Sequence, residues 1–198
     1  MEPITLSTER LLLRPLRATD TDAVLAACQD PEIPRWTPVP SPYTLAHAVA
    51  FIDRNPEGWR NNTEYNFGVF TRESAGGDGV LVGSMGLVNL GHLGAPGRQA
   101  ELGYWTAKEH RGKGYTAEAG REVCRWAFER LGVQRMEWIA DAGNEGSRGV
   151  ARKIGFVMEG TQRAKIVHRG ARKDAWTGAL LPADFGLESL TPYEPYAG

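Results

Sequence analysis

The stretch from Gln99 to Leu131 constrains the fold of this chain more than any other. QAELGYW alternates with period two and predicts a strand. TAKEHRGKG is polar and carries two glycines, Gly112 and Gly114. From Ala117 onward Ala119, Val123, Trp126 or Ala127, and Leu131 recur at helical spacing. A strand is thus handed to a long helix through a short basic turn. A helix start leaves about four backbone N–H groups without partners and carries roughly half a positive charge, so an anion is its natural guest.

The rest of the chain must build around that unit. Ile4 to Leu16, with Leu11, Leu12 and Leu13 between arginines, reads as a strand or short buried run. Thr19 and Asp22 open a first helix through Val24, Leu25 and Cys28. PEIPRWTPVPSPYT, with five prolines in residues 31 to 42, excludes helix interior and central strand and predicts a shaped loop. Thr44 caps a second helix through Leu45, Ala48, Val49 and Ile52, ending near Asn55 and Pro56. Tyr65, Phe67 and Val69, the turn SAGGDG (74–79) and VLVGSMGLVNL predict a hairpin. LGHLGAPG is a second glycine-rich turn. MEWIA, FVMEGTQR and DAWTGALL supply later strands, and Ser147 to Ile154 a short helix ended by Gly155. Helices in front, a meander in the middle and strand-helix units behind indicate an α/β or α+β domain with a mixed sheet. At 198 residues one domain over 1–182 is expected, followed by a tail, 183–198.

Three anions suit the glycine turn. A nucleoside triphosphate needs a glycine where Ala107 stands and Ser or Thr where Gly114 stands, so that reading fails twice. A dinucleotide is formally open, because Gly112, Gly114 and Ala117 satisfy G-x-G-x-x-A and Glu137 follows about 20 residues later. Against it, TAKEHR separates the turn from its strand, and too little chain remains for a second mononucleotide half. The pyrophosphate of coenzyme A fits a turn whose successive N–H groups wrap phosphate, with Arg111 and Lys113 adding charge. A solvated basic loop is the plain alternative.

A second segment, NEGSRGVARKIGF (144–156), shifts the balance. Together the two resemble the GNAT superfamily of acyl-coenzyme A dependent N-acyltransferases, most closely its branch of Rim-type ribosomal-protein N-terminal acetyltransferases. STERLLLRPL, SPYTLAHAVAFI, AELGYWTAKEHRGKGYTAEA, NEGSRGVARKIGF and EGTQRAKIVHRGARKDAWTGALL resemble that branch in order and spacing, from about Leu6 to about Leu181. The family's phosphate signature often starts with Gln or Arg three residues before its first glycine, where this chain has Glu109.

The resemblance implies a mostly antiparallel mixed sheet of about six or seven strands with about four helices. It implies acetyl-coenzyme A, or another acyl-coenzyme A such as a succinyl donor, as co-substrate. The strand AELGYW would splay from its neighbour and offer its edge to the pantetheine arm at Trp105 and Thr106. The pyrophosphate would rest on N–H groups of Arg111, Gly112, Lys113, Gly114, Tyr115 and Thr116. Asn144 would bond the pantetheine, or simply cap its helix. Glu101 matches the strand position where many GNAT enzymes hold a general base, and Ser147 or Tyr104 would return a proton to the leaving sulfur. Trp36 and His168 are expected to contact the acceptor, a primary amine on a protein N-terminus or a small molecule. Homodimers are common in this branch. A catalytically silent acyl-coenzyme A sensor is the alternative from another class.

Bulk properties narrow the setting. A net charge of -1 gives no global field toward nucleic acid or an anionic membrane, so neither is an expected partner. Cys28 and Cys124 cannot alone build a disulfide framework, and His47, His92, His110 and His168 show no i,i+4 pair, so no metal is expected. Without a signal core, a cytoplasmic location is expected. Cys124 lies beside Val123 on the apolar side of its helix, so direct transfer is expected over a covalent cysteine.

Overall fold

A computed structural model describes residues 1–72 and 78–196. One sheet of eight strands runs in the order β1-β2-β3-β4-β5-β6-β8-β7. These are β1 (Leu6–Ser7), β2 (Leu11–Arg14), β3 (Tyr65–Arg72), β4 (Asp78–Val88), β5 (Gln99–Thr106), β6 (Arg135–Asp141), β7 (Val157–His168) and β8 (Ala171–Leu180). All neighbours pair antiparallel except β5 and β6, which are parallel. The helices are α1 (Thr21–Ala27), α2 (Glu32–Trp36), α3 (Leu45–Asp53), α4 (Asn55–Asn61), α5 (Tyr115–Trp126) and α6 (Glu145–Ile154).

The strand count exceeds the expected six or seven because the first apolar run is cut by a turn into β1 and β2. Two proline readings are corrected. Pro31 and Pro34 do not exclude helix: α2 is so short that Pro34 falls in its first turn, where a missing N–H costs nothing. Pro56 likewise opens α4 near its first position, so the expected stop is a second start. The SAGGDG turn lies for the most part outside the described residues.

Helix α3 starts where expected. Thr44 Oγ1 accepts from the His47 N–H at 3.4 Å, and His47 Nδ1 accepts from the Thr44 N–H at 3.2 Å. α5 starts on Gly114, whose φ of 81° is the left-handed region that glycine enters freely. Its buried stripe comprises Ala117, Ala119, Gly120, Val123, Cys124 and Trp126. A Cβ at Gly120 would stand 2.4 Å from Ile154 Cδ1, so glycine there lets α6 pack closely on α5. A five-residue π-helical turn, Ala127–Leu131, extends α5 to the left-handed Gly132.

Two cores sandwich the sheet. The larger gathers Trp59, Tyr65, Phe67 and Trp126 with Leu102, Met136, Trp138 and Ile154. The smaller joins Val24, Cys28, Tyr43, Ala48, Ile52, Phe70 and Leu81, with Trp105 against it. Residues 182–185 form a 3-10 turn whose Phe185 packs on Phe128 at 5.5 Å between ring centroids. The amides of Leu190 and Thr191 donate to Gln134 Oε1. Among the described residues no helix is long and apolar enough to cross a membrane.

Candidate active site

The parallel pair is brief. β5 and β6 share register only at Gln99↔Arg135, Ala100↔Met136 and Glu101↔Glu137. Beyond Glu101, β5 follows β4 to Thr106 while β6 follows β8 to Asp141, so the strands diverge into a fork. The Ala107 N–H donates to Val82 O at 2.8 Å, which fixes the phase of the β4–β5 ladder. By antiparallel alternation Gly103 and Trp105 spend their main-chain groups on β4, whereas Tyr104 and Thr106 turn theirs into the fork. Trp105 was expected on the coenzyme edge; its main chain points the other way and its ring packs on the smaller core.

The glycine turn closes the wide end of the fork. Gly112 and Gly114 have φ of 77° and 81°, and a Cβ on Gly112 would meet nothing within 4 Å. Among the described residues the amides of Gly112, Lys113 and Gly114 find no acceptor. Thr106 and Thr116 hydroxyls share a hydrogen bond of 2.6 Å across the turn. Arg10 braces it from β2's side: its Nη1 donates to Lys113 O at 3.2 Å and its guanidinium lies 4.7 Å from the Tyr115 ring centroid. Glu118, which also bonds Thr8, holds Arg10 in place.

Arg111 is committed elsewhere. Its Nε and Nη2 each donate to Thr106 O at 3.2 Å, and Nη2 lies 2.5 Å from Asp30 Oδ2. The side chain therefore ties the end of β5 to the α1–α2 junction.

On the α5–α6 side of the fork, Asn144, Ser147, Tyr104 and Trp138 meet. Asn144 Oδ1 caps α6 by accepting from the Ser147 N–H at 3.1 Å. Tyr104 donates its hydroxyl to Ser147 O at 2.9 Å, Ser147 Oγ donates to Tyr104 at 3.1 Å, and Trp138 Nε1 donates to Ser147 Oγ at 3.0 Å. Burial pushes the Tyr104 phenol far up, against the Ser147 and Trp138 hydrogen bonds, so it keeps its proton.

The opposite side holds the carboxylates. Glu101 stands at the apex of the fork, in register with Glu137 on the same face. Burial raises the Glu101 carboxyl above the usual carboxylate range; the like charge of Glu137 adds to this, while an Asn89 Nδ2 hydrogen bond at 2.7 Å and the Lys165 ammonium oppose it. A cavity on this face is lined by Arg135, Glu137, Ile139, Glu159, Lys165 and Thr177, among others. Farther out, Pro38, Val39, Pro40 and Ser41 face Val167, His168 and Arg169 across a second groove. Arg169 bonds Pro34 O and Val39 O, fastening the proline loop to the β7–β8 hairpin. His168 Nδ1 lies 3.3 Å from Lys173 Nζ and 3.6 Å from Asp141 Oδ2. Trp36 does not line that groove; its indole donates to Glu32 at 3.1 Å. Tyr43, at the end of the proline segment, packs in the smaller core. Both thiols are buried and held protonated, Cys28 pushed up to about 12. Among the described residues no group of His, Cys, Asp or Glu could hold a metal ion.

Residues 10–157 match the family model described as an acetyltransferase (GNAT) domain, well over half of the chain. The chain belongs to the GNAT acetyltransferase family. A Bacillus subtilis (strain 168) protein provisionally named ribosomal N-acetyltransferase YdaF is 40% identical over 108 residues, 54% of this chain and 57% of that protein. The chain thus aligns with little more than half of that relative. Uncharacterized N-acetyltransferase YoaA of the same organism is 27% identical over 174 residues, 88% of this chain and 94% of YoaA. Among solved structures, one from Vibrio cholerae provisionally assigned as a ribosomal-protein-serine acetyltransferase superposes with TM-score 0.78 and 26% identity, covering 92% of this chain and all of that one. The dinucleotide reading falls with the same findings, since the sheet has one parallel pair where a doubly wound fold needs many.

Several parts of this candidate site escape sequence reasoning. Arg10, Asp30, Asn89 and Lys165 reach it from separate segments, and no local pattern marks them. Glu137 had a signal, since it alternates with apolar residues on a strand that runs beside β5.

Proposed function

We propose that the chain transfers an acetyl group from acetyl-coenzyme A to a primary amine by direct attack in a ternary complex. The observation that carries this reading is the fork: Glu101 at its apex, main-chain groups of Tyr104 and Thr106 turned into it, and acceptor-free amides of residues 112–114 at its open end. A diphosphate suits those amides and the start of α5, with Lys113 adding positive charge. When bound, the coenzyme supplies a thioester carbonyl and a thiolate leaving group.

Glu101 takes a proton from the incoming ammonium, directly or through water, and its raised affinity for protons suits that task near neutral pH. An α-amine, with a pKa near 8, needs less help than a lysine amine near 10.4. The Tyr104 N–H supplies an oxyanion donor. Tyr104 and Ser147 hold α6 against the fork through their paired hydroxyls, and Ser147, released from Tyr104, gives its proton to sulfur while its Oγ takes one from the nitrogen that has just attacked, so no alkoxide is left. A thiol pKa of about 8.5 asks little of that acid. Asn144 keeps its amide nitrogen for the pantetheine while Oδ1 caps α6.

A peptide N-terminus is the favoured acceptor, supported by the names of the relatives; a free small-molecule amine is the second choice. The test is thiol release from acetyl-, succinyl- and longer acyl-coenzyme A against peptide α-amines, lysine side chains, polyamines and aminoglycosides. Tight coenzyme binding with no thiol released from any pair would favour a sensor. Stoichiometric acyl-enzyme in the mass spectrum would overturn direct transfer.

A further inference from the structure

The β7–β8 hairpin leaves regular pairing between Gln162↔Ala175 and Ile166↔Lys173, where Arg163, Ala164 and Lys165 stand against the single residue Asp174. Ala164, at the centre, has φ of 53°, a conformation that an alanine rarely adopts without external support. That support comes from β8: Asp174 Oδ1 accepts from the Ala164 N–H at 2.9 Å, and Arg172 Nη1 donates to Ala164 O at 3.2 Å. A bulge of this kind bends its strand and re-aims a side chain. The side chain re-aimed is Lys165, which lines the cavity on the acceptor face with Glu137, Ile139, Gln162 and Thr177. It is close enough to Glu101 to favour that carboxyl's charged form.

Lys165 is exposed and has no ion pair among the described residues. The other cation of the cavity is spent: Arg135 grips Glu159 at 2.9 and 2.7 Å and reaches Glu137 at 3.2 Å. The cavity therefore offers carboxylate near the apex and one free ammonium beside it.

We propose that Lys165 determines acceptor specificity, selecting amines that carry a carbonyl on the neighbouring carbon, peptide N-termini and amino acids, and rejecting polyamines. This rests on the N-acetyltransferase reading above. With the acceptor nitrogen at Glu101, an α-amino carbonyl presents its oxygen beside the nitrogen, where an ammonium can donate a charge-assisted hydrogen bond. A polyamine presents methylenes and a second cation there, and like charges repel.

The experiment measures thiol release with a peptide bearing a free α-amine and with spermidine, for wild type, Lys165→Met, Lys165→Glu and Asp174→Ala. Lys165→Met is expected to raise KM for the peptide about tenfold, as loss of one charge-assisted hydrogen bond implies, with kcat within about twofold. Lys165→Glu is expected to raise kcat/KM for spermidine while lowering it for the peptide. Asp174→Ala, which frees the bulge, should reproduce the KM rise and add nothing in the Lys165→Met background. A peptide KM unchanged in Lys165→Met, or spermidine as poor with Lys165→Glu as with wild type, overturns the assignment while leaving the acetyltransferase reading intact. A wild type that releases no thiol with either amine overturns both.

Discussion

At the scale of single residues, Glu101 carries the sharpest expectation. Removing its charge with Glu101→Gln should lower kcat by about a hundredfold or more, the usual worth of a general base, while coenzyme affinity measured by calorimetry stays within about twofold. Asn89 sets its working range. Asn89 sits at φ 58°, so Asn89→Gly removes the amide donor without straining the backbone. The hydrogen bond favours ionised Glu101, hence its loss raises the carboxyl further and the acid limb of the kcat/KM profile moves to higher pH. Rates should fall most at low pH and converge with wild type above the limb. An acid limb that stays put or moves down would remove Asn89 from the account. Gly103 has no atom within 4 Å of where a Cβ would sit, so Gly103→Val should fill the face beside Glu101 and raise the acceptor KM rather than the coenzyme KM.

At the scale of elements, the glycine turn before α5 depends on two glycines, two threonines and two arginines working in one geometry. Gly114→Ala forces a Cβ into φ 81°, at a cost of roughly 1–2 kcal/mol, and brings it toward Arg10 Nη2. Coenzyme affinity should drop about tenfold by calorimetry, with the melting temperature changed by only a few degrees. An unchanged affinity would mean that the amides of this turn do not hold the diphosphate. Arg111 was legible as a cation near phosphate, yet its actual partners are Thr106 O and Asp30, some 80 residues distant in sequence. Spacing announces a turn and a cap because both are local. It is silent on which distant carboxylate a guanidinium will find.

For the molecule as a whole, stability leans on a buried ion pair at the front of the sheet. Arg14 and Asp20 meet at 2.8 and 3.0 Å with both side chains nearly inaccessible, and the Arg17 N–H adds a third bond to Asp20 at 2.7 Å. Burial alone would raise the Asp20 carboxyl, but the Arg14 and Arg17 hydrogen bonds outweigh it and hold the carboxyl below its usual range. A depressed carboxyl stabilises the fold above its unfolded pKa, near 3.9, and that contribution is lost as pH falls through the folded value. Asp20→Asn should therefore lower the melting temperature at pH 7 by about 6–20 °C, from a loss of roughly 3–5 kcal/mol, and flatten its fall below pH 4. A melt unchanged at pH 7 would show the pair to be dispensable.

The strand segments from Tyr65 onward, the α5 unit and the Thr44 cap were readable from periodicity and end signals, since burial on one face imprints itself locally, whereas the order of the strands in the sheet was not. Short helices begun by proline were not, because the same residue starts and stops helices. The face that carries Glu101 is readable only in space: β5, β6, β7 and β8 each contribute to it. Three rungs alone join the two half-sheets, Gln99, Ala100 and Glu101 against Arg135, Met136 and Glu137, and α5 is the strap between them. Glu101 sits on the last rung, at the pivot of a pair of tongs. Changes that alter how far the blades open will be felt at its carboxylate even when made at the distant tips of β4 or β8.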